Sequence, residues 1–153
     1  YLELLKFVTP NYNRSYSKRV LDKKGNTTKI KILVVEDTQV FAMALKNILE
    51  REGFKVVGAQ NGIEGIKELE NNTFDLIISD IEMPEMDGLT FIKNVRNIEK
   101  TKNIPAIALT SLNSEKDRKR GLEAGFDYYE IKLNEDELIN IVKAILAKIR
   151  GDL

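Results

Sequence analysis

Five side chains that suit phosphoryl chemistry follow short apolar runs of the sequence. The acid pair Glu36 and Asp37 follows the first run and Asp80 the third, while Thr110 closes the fourth and Lys132 the fifth. Clustered carboxylates repel one another unless a cation joins them, and a hard ion that keeps some of its water, such as Mg²⁺, suits such oxygen ligands. A carboxylate can attack an activated phosphorus while a metal, an ammonium and a hydroxyl stabilise the phosphoryl oxygens. The pattern therefore favours Asp80 as a nucleophile beside a magnesium ion.

The composition narrows the chemistry further. The chain contains no Cys and no His, which excludes disulfides, thiolate chemistry, a His base and a His phosphocarrier within this sequence and makes zinc unsuitable. The alternative is that the five polar residues are ordinary strand ends in solvent. A single such residue would carry no information, but four strand ends of the right type together argue against that alternative.

From residue 30 onward, apolar runs alternate with helical patterns. They predict five strands and five helices, with Thr38 and Asn61 as N-caps, at residues 31–35, 38–52, 54–59, 61–70, 75–79, 90–99, 105–109, 114–123, 128–132 and 135–149. Strands separated by helices indicate right-handed parallel crossovers. The sequence thus predicts an α/β fold, a doubly wound five-stranded parallel sheet that binds ligands at the carboxyl ends of its strands. The strand before Asp80 should be central, between the acid pair and the side of Thr110 and Lys132.

Residues 1–29 differ from the rest of the 153-residue chain. They contain turn signals near residues 10 and 25, and they carry seven basic and two acidic residues in a chain of net charge zero. We predict a basic, solvated linker or extension from an upstream domain, and a domain at 30–150; contact of the arm with nucleic acid is the alternative. The first residue is not Met, which fits a fragment of a longer protein. No apolar run approaches the roughly 18 residues of a membrane span, so we expect a cytoplasmic domain without membrane insertion.

Four segments carry a resemblance to a known family. They are Ile32-Leu33-Val34-Val35-Glu36-Asp37, Asp80-Ile81-Glu82-Met83-Pro84-Glu85-Met86-Asp87-Gly88, Ala108-Leu109-Thr110-Ser111 and Tyr129-Glu130-Ile131-Lys132. Residues 30–150 resemble the receiver domains of response regulators in bacterial two-component systems. The spacings of 43, 30 and 22 residues between the last acid of the first segment, Asp80, Thr110 and Lys132 also match. The resemblance implies a flavodoxin-like (βα)5 receiver fold. Gly88 is predicted to supply unusual backbone angles in its loop.

The resemblance also implies a metal site and a phosphodonor. Glu36, Asp37 and Asp80 would hold Mg²⁺ together with the backbone carbonyl of Glu82. Asp80 would accept a phosphoryl group from a phosphohistidine on a partner histidine kinase. The chain would then be a self-catalysed phosphoacceptor rather than a conventional enzyme, although its parent chain could be a histidine kinase.

A switch is implied as well. Thr110 and Lys132 would bind the phosphoryl oxygens, and Tyr129 falls on the position of the family's switch aromatic. When Thr110 moves toward the phosphate, that aromatic turns inward and changes the surface of the fourth helix, fifth strand and fifth helix. The alternative for Tyr129 is a half-exposed aromatic on an edge strand with no switching role.

Leu133 departs from the family, which usually has a Pro after the Lys, often with a cis bond before it. Before a non-proline residue a cis bond costs about 2.5–4 kcal/mol, so we expect a trans bond and an altered loop around Lys132. This departure, the segment from Asp80 to Gly88 and the run at 124–127 resemble receivers fused to chemotaxis proteins, C-terminal to a coupling domain. Chemotaxis proteins, the flagellar motor or a phosphatase would then be partners of a monomer or weak dimer, and no nucleic acid is expected.

Two other functions stay open. A pseudo-receiver scaffold would bind partners without phosphorylation; the complete set of acids argues against it, whereas Leu133 favours it. A phosphatase of the haloacid dehalogenase type also forms an aspartyl phosphate. Enzymes of this type share a DxDx(T/V) motif after the first strand. The segment Glu36-Asp37-Thr38 does not have that spacing.

Overall fold

The computed structural model describes residues 19–21, 27–132 and 135–150. This part of the chain contains seven strands and five helices in the order β1 Arg19–Leu21, β2 Thr27–Lys29, β3 Lys31–Val35, α1 Gln39–Arg51, β4 Lys55–Ala59, α2 Gly62–Asn71, β5 Leu76–Ser79, α3 Gly88–Asn97, β6 Ala106–Thr110, α4 Glu115–Ala124, β7 Tyr128–Ile131 and α5 Glu135–Arg150. None of these helices has the length and apolar character that a membrane crossing requires.

Five of the strands form one parallel sheet. Its order is β4-β3-β5-β6-β7, and every neighbouring pair is parallel. The doubly wound five-stranded fold is therefore confirmed, and β5, which precedes Asp80, is central as predicted. Because a helix returns the chain between successive strands, all five carboxyl ends lie along one edge of the sheet, the carboxyl edge.

Apolar side chains cover both faces of the sheet. Along β3, Ile32 and Val34 belong to one core with side chains of α1 and α5, whereas Leu33 and Val35 belong to a second core with side chains of α2 and α3. The period of two along a strand explains this division. We call these sides the α1/α5 face and the α2–α4 face, because α4 packs on the second.

Three helices begin just after loops of the carboxyl edge with a side-chain cap. The side chains of Asn61, Asp87 and Ser114 accept a hydrogen bond from the amide of the third residue of α2, α3 and α4 respectively. The N-cap predicted at Thr38 is confirmed in position only. Thr38 stands at the N-cap position of α1, but its side chain makes no capping hydrogen bond. Its own amide donates to Glu36 Oε1 at 3.1 Å.

A short hairpin precedes the sheet. Strands β1 and β2 are antiparallel, with Arg19 opposite Lys29 and Leu21 opposite Thr27. The sequence predicts no strands within the linker of residues 1–29, yet these six residues form a hairpin where a turn signal lies between β-branched residues that favour strands. The rest of the predicted linker, 1–18 and 22–26, lies outside the described residues.

Candidate phosphoacceptor site

Three carboxylates meet at the carboxyl edge. Glu36 and Asp37 follow β3, Asp80 follows β5, and these strands are adjacent, with Val35 opposite Ser79. One oxygen from each carboxylate lies within 4.8 Å of the other two. Glu36 is 4% exposed and Asp80 is 7% exposed. The structure thus brings together the three acids that the sequence predicted as metal ligands.

The backbone fixes Asp80 in this position. Its amide donates to the Val35 carbonyl at 3.0 Å, which continues the sheet ladder one residue past the strand. The Ile81 amide donates to Asp80 Oδ1 at 2.7 Å. This charge-assisted bond sets the orientation of the carboxylate and leaves Oδ2 turned toward other groups.

Gly88 has no side chain, and this lets the loop after Asp80 pack closely against the backbone of Asp80 and Ile81. A Cβ at this position would lie 2.1 Å from the Asp80 carbonyl oxygen. The Gly88 amide donates to the Ile81 carbonyl at 2.8 Å. The prediction of unusual backbone angles at Gly88 is wrong, since the positive φ in this loop, 66°, belongs to Glu85. Gly88 is needed for space and not for conformation.

Lys132 places its ammonium between two of the acids. Nζ lies 3.1 Å from Asp80 Oδ2 and 3.2 Å from Glu36 Oε2. The Lys132 amide donates to the Thr110 carbonyl at 2.9 Å, which fixes the base of the side chain at the end of β7. Nζ also lies over the ring of Phe41, 4.3 Å from its centroid. Sequence reasoning did not identify Phe41, because nothing local to α1 indicates a contact with a residue 91 positions away.

The site carries more negative than positive charge. Burial, and next the charge of Asp80, raise the pKa of Glu36 above its ordinary value, and the Thr38 amide and Lys132 offset this only in part. Burial alone would lower the pKa of Lys132, but the hydrogen bond and charge of Asp80, with Glu36, raise it overall. Lys132 is therefore an ammonium that contacts two of the three clustered carboxylates. These oxygen ligands, with their excess of negative charge, suit a hard divalent cation.

Thr110 and Tyr129 both engage the loop after β6. Thr110 is buried at the end of β6, and its Oγ1 accepts the Leu112 amide at 3.2 Å. Among the described residues, no hydrogen bond joins Thr110 to Asp80. The Tyr129 hydroxyl donates to the Leu112 carbonyl at 2.7 Å, and the ring lies against Gly121. Tyr129 is only 4% exposed, which contradicts the half-exposed alternative for this residue.

Two predicted residues stand outside this cluster. The Glu82 side chain is exposed and lines a surface groove with Asp37 and Arg120; the metal contact predicted for Glu82 uses its backbone carbonyl and stays a prediction. Leu133 lies outside the described residues, so the predicted trans bond also stays a prediction.

A parallel sheet that gathers three carboxylates and a lysine at its carboxyl edge defines a receiver-type domain of two-component signalling. A model of the response regulator receiver domain matches residues 32–143, and the chain belongs to this family. It is 36% identical over 131 residues to the sensor histidine kinase CheAY of Helicobacter pylori, an alignment that covers 84% of this chain and only 16% of the kinase.

Solved receiver structures resemble the chain closely in fold. The receiver domain of a signal transduction histidine kinase from Syntrophus aciditrophicus shares 37% identity and a TM-score of 0.73, over 78% of this chain and 92% of that chain. The receiver domain of a sensor histidine kinase from Pseudomonas aeruginosa PAO1 shares 29% identity and a TM-score of 0.73, over 78% of this chain and 99% of that chain. That second structure holds a magnesium ion in its active-site cleft.

Proposed function

We propose that this receiver domain takes a phosphoryl group onto Asp80 from a phosphohistidine of a histidine kinase, with Mg²⁺ at the carboxyl edge. The observation that carries the proposal is the convergence of three carboxylates, two of them buried, and the Lys132 ammonium on one site. A conventional hydrolase would need a further base or water-positioning group, whereas a phosphoacceptor needs only a nucleophile and charge stabilisation.

Glu36, Asp37 and Asp80 would hold the magnesium ion, together with the Glu82 carbonyl. When bound, the ion supplies charge neutralisation at the phosphoryl oxygens and brings nucleophile and phosphorus together. The support is the donor set, which offers one oxygen from each of three acids and carries excess negative charge.

The chain's own residues prepare the transfer. The Ile81 amide holds Asp80 Oδ1, so the carboxylate is oriented before phosphorus arrives. As the Asp80 oxygen–phosphorus bond forms, the phosphorus–nitrogen bond of the donor breaks and the imidazole leaves with the electron pair. Lys132 then moves its hydrogen bonds from carboxylate to phosphoryl oxygen, and the Thr110 hydroxyl donates to another.

Phosphorylation would be communicated through the loop after β6. Thr110 Oγ1 and the Tyr129 hydroxyl both bond to Leu112, so movement of Thr110 toward phosphate changes the support of the Tyr129 ring. The Tyr129 side chain extends from β7 and packs against Gly121 of α4. The surface that responds is formed by α4, β7 and α5. This surface would bind the next partner, which we propose to be a chemotaxis protein, the flagellar motor or a phosphatase.

The placement in a longer cytoplasmic signalling protein is part of the proposal. Residues 30–150 would be the receiver, and residues 1–29 a linker from an upstream domain. The chemotaxis subtype is supported by Leu133, the run at 124–127 and the similarity to the kinase CheAY. Because the chain spans so little of that kinase, its partners are inferred from receiver chemistry and not from the whole relative.

Phosphorylation by a small donor tests the proposal. The protein is incubated with acetyl phosphate and Mg²⁺, and its intact mass is measured over time. We expect one added phosphoryl group on the wild type, none on Asp80→Asn, and none when EDTA removes the metal. A wild type that neither gains phosphate nor binds Mg²⁺ would instead be a pseudo-receiver scaffold.

A further inference from the structure

Lys132 contacts an aromatic ring as well as the two acids. Its ammonium lies over the Phe41 ring, 4.3 Å from the centroid, and also contacts the carboxylates of Glu36 and Asp80. Phe41 is the third residue of α1, one turn before the buried Leu45. A cation over an aromatic face is attracted by the ring electrons, and the attraction grows when water is excluded.

The space beside Phe41 is tight, although Phe41 itself is only half-buried. Phe41 lines this space with Glu36, Leu45 and Asp80, and the space has no room for a water molecule. The Lys132 side chain itself is 20% exposed. A residue that served only to fill the core would pack against apolar neighbours, as Phe41 does on one side, but its other side faces an ammonium.

The proposed reaction puts the carboxylate contacts of Lys132 in competition with other groups. Glu36 and Asp80 are the acids assigned to Mg²⁺ and to phosphorus, so the ion and the phosphoryl group both compete with Nζ for these oxygens. The hydrogen bond from the Lys132 amide to Thr110 fixes only the base of a flexible four-carbon side chain. The Phe41 ring is a contact for which neither the metal nor the phosphoryl group competes.

We propose that Phe41 is a positioning residue whose ring holds the Lys132 ammonium over Asp80 while Mg²⁺ and the phosphoryl group occupy the carboxylates. This role rests on the proposed function. It also accounts for how a lysine followed by Leu133 rather than proline keeps its reach to the phosphoryl oxygens.

The first test compares rates of phosphorylation by acetyl phosphate at saturating Mg²⁺. Phe41→Leu keeps an apolar side chain but removes the ring, and we expect it to slow phosphorylation by about 3- to 30-fold, the range of a cation–π contact. Phe41→Tyr should restore the rate to within about twofold of the wild type. Ile48→Val, which trims the same core from α1 without touching Lys132, should also stay within about twofold.

A double-mutant cycle separates positioning from packing. In a Lys132→Met background, Phe41→Leu should slow the reaction no further, because the ammonium that the ring holds is gone. Equal slowing in both backgrounds would overturn the role, as would a Phe41→Leu variant as fast as the wild type. A wild type that takes no phosphate at all overturns the proposed function, and this role with it.

A second readout does not depend on phosphorylation. The Lys132 ε-methylene protons should show an upfield ring-current shift in carbon–proton NMR spectra, and Phe41→Leu should abolish it. The shift should persist when Mg²⁺ alone is added. Its loss on magnesium binding would show that the ring does not hold the ammonium in the metal-loaded protein, and would overturn the inference.

Discussion

Two aromatic residues flank the site from opposite faces of the sheet, and their surroundings differ. Phe41 packs against the α1/α5 core and contacts the Lys132 ammonium. Tyr129 belongs to the α2–α4 core, and its ring occupies room that exists because Gly121 has no side chain. The first aromatic contacts a charge, whereas the second fills a space beside α4. In our proposals, positioning and signalling are thus divided between the two faces.

Helices α1 and α4, on opposite faces of the sheet, are anchored to different degrees. On the α1/α5 face, Leu45 and Leu49 of α1 are buried, and Lys143 of α5 bonds to Glu52 at 3.0 Å. In α4, by contrast, Gly121 is the buried residue among ten. An element with little buried apolar surface opens or shifts at low cost. The helix with little buried apolar surface thus lies beside Tyr129, the proposed switch aromatic, and the better anchored helix lies beside Lys132.

Removal of the lysine at the site should have the largest effect. We expect Lys132→Met to slow phosphorylation by acetyl phosphate on the order of 100-fold, because a preorganised charge on the phosphoryl oxygens is lost. Lys143→Met is the matched control on the same face. It should lower the free energy of unfolding by about 1–3 kcal/mol but leave the phosphorylation rate of the folded protein within about twofold. A rate loss in the control, or none at Lys132, would contradict the division.

Neutralising Glu36 should weaken magnesium binding and change the pH dependence of stability. With one of three carboxylates gone, Glu36→Gln should bind Mg²⁺ on the order of tenfold more weakly by calorimetry. Because burial and the Asp80 charge raise the pKa of Glu36, its ionised form weakens the fold. That penalty is absent below the ordinary pKa of about 4.3 and develops as pH rises through the raised value.

In the absence of metal, Glu36→Gln should therefore have a higher free energy of unfolding than the wild type at pH 7. The difference should shrink as pH falls toward about 4. Glu70→Gln, an exposed acid on α2, should change neither property. A variant that is less stable than the wild type at pH 7 would show that the bond to Lys132 outweighs burial and repulsion.

A methyl group at Gly121 should displace Tyr129, the proposed switch aromatic. The added Cβ would lie 2.7 Å from the Tyr129 ring, and overpacking of this kind costs about 1–3 kcal/mol. Gly65→Ala is the matched control, since its Cβ would lie 2.8 Å from the ring of Phe91, also on the α2–α4 face. Both variants should be destabilised, but only Gly121→Ala should move the Tyr129 ring resonances. Unchanged resonances would mean that Gly121 does not set the position of the ring.

Loss of one hydroxyl should have the smallest effect. Tyr129→Phe removes the hydrogen bond to the Leu112 carbonyl and should lower the free energy of unfolding by about 0.5–1.5 kcal/mol in denaturant titrations. Burial raises the pKa of the phenol, so the hydroxyl remains a donor across the neutral range. If stability were unchanged, the hydroxyl would contribute nothing to holding the loop after β6.

The sheet could be predicted from the sequence because its signals are local. Runs such as Ile32 to Val35 are apolar throughout, and in the helical segments between them apolar residues recur every three and four positions. The predicted ends of each of the ten elements therefore lie within two residues of the observed ends. The order of the parallel strands then places Glu36, Asp37 and Asp80 at one edge without any knowledge of side-chain positions.

Individual side-chain contacts could not be predicted in this way. The Thr38 amide donates to Glu36 Oε1 in place of the expected side-chain cap, and this bond depends on where burial turns the carboxylate. Likewise, the contact of Phe41 with Lys132 joins the start of α1 to the end of β7 and leaves no trace in either segment. The room beside Tyr129 depends on which face of α4 meets the sheet, and the apolar pattern of that charged helix is too weak to specify it.

Reduction of the phosphorylated protein with borohydride tests the central claim most directly. This reagent converts an aspartyl phosphate to homoserine, and peptide mass spectrometry then locates the changed residue. After treatment with acetyl phosphate and Mg²⁺, we predict homoserine at position 80 and at no other position. Conversion at Glu36 or Asp37, or phosphate that resists borohydride on a hydroxyl side chain, would contradict the assignment of Asp80 as the phosphoacceptor.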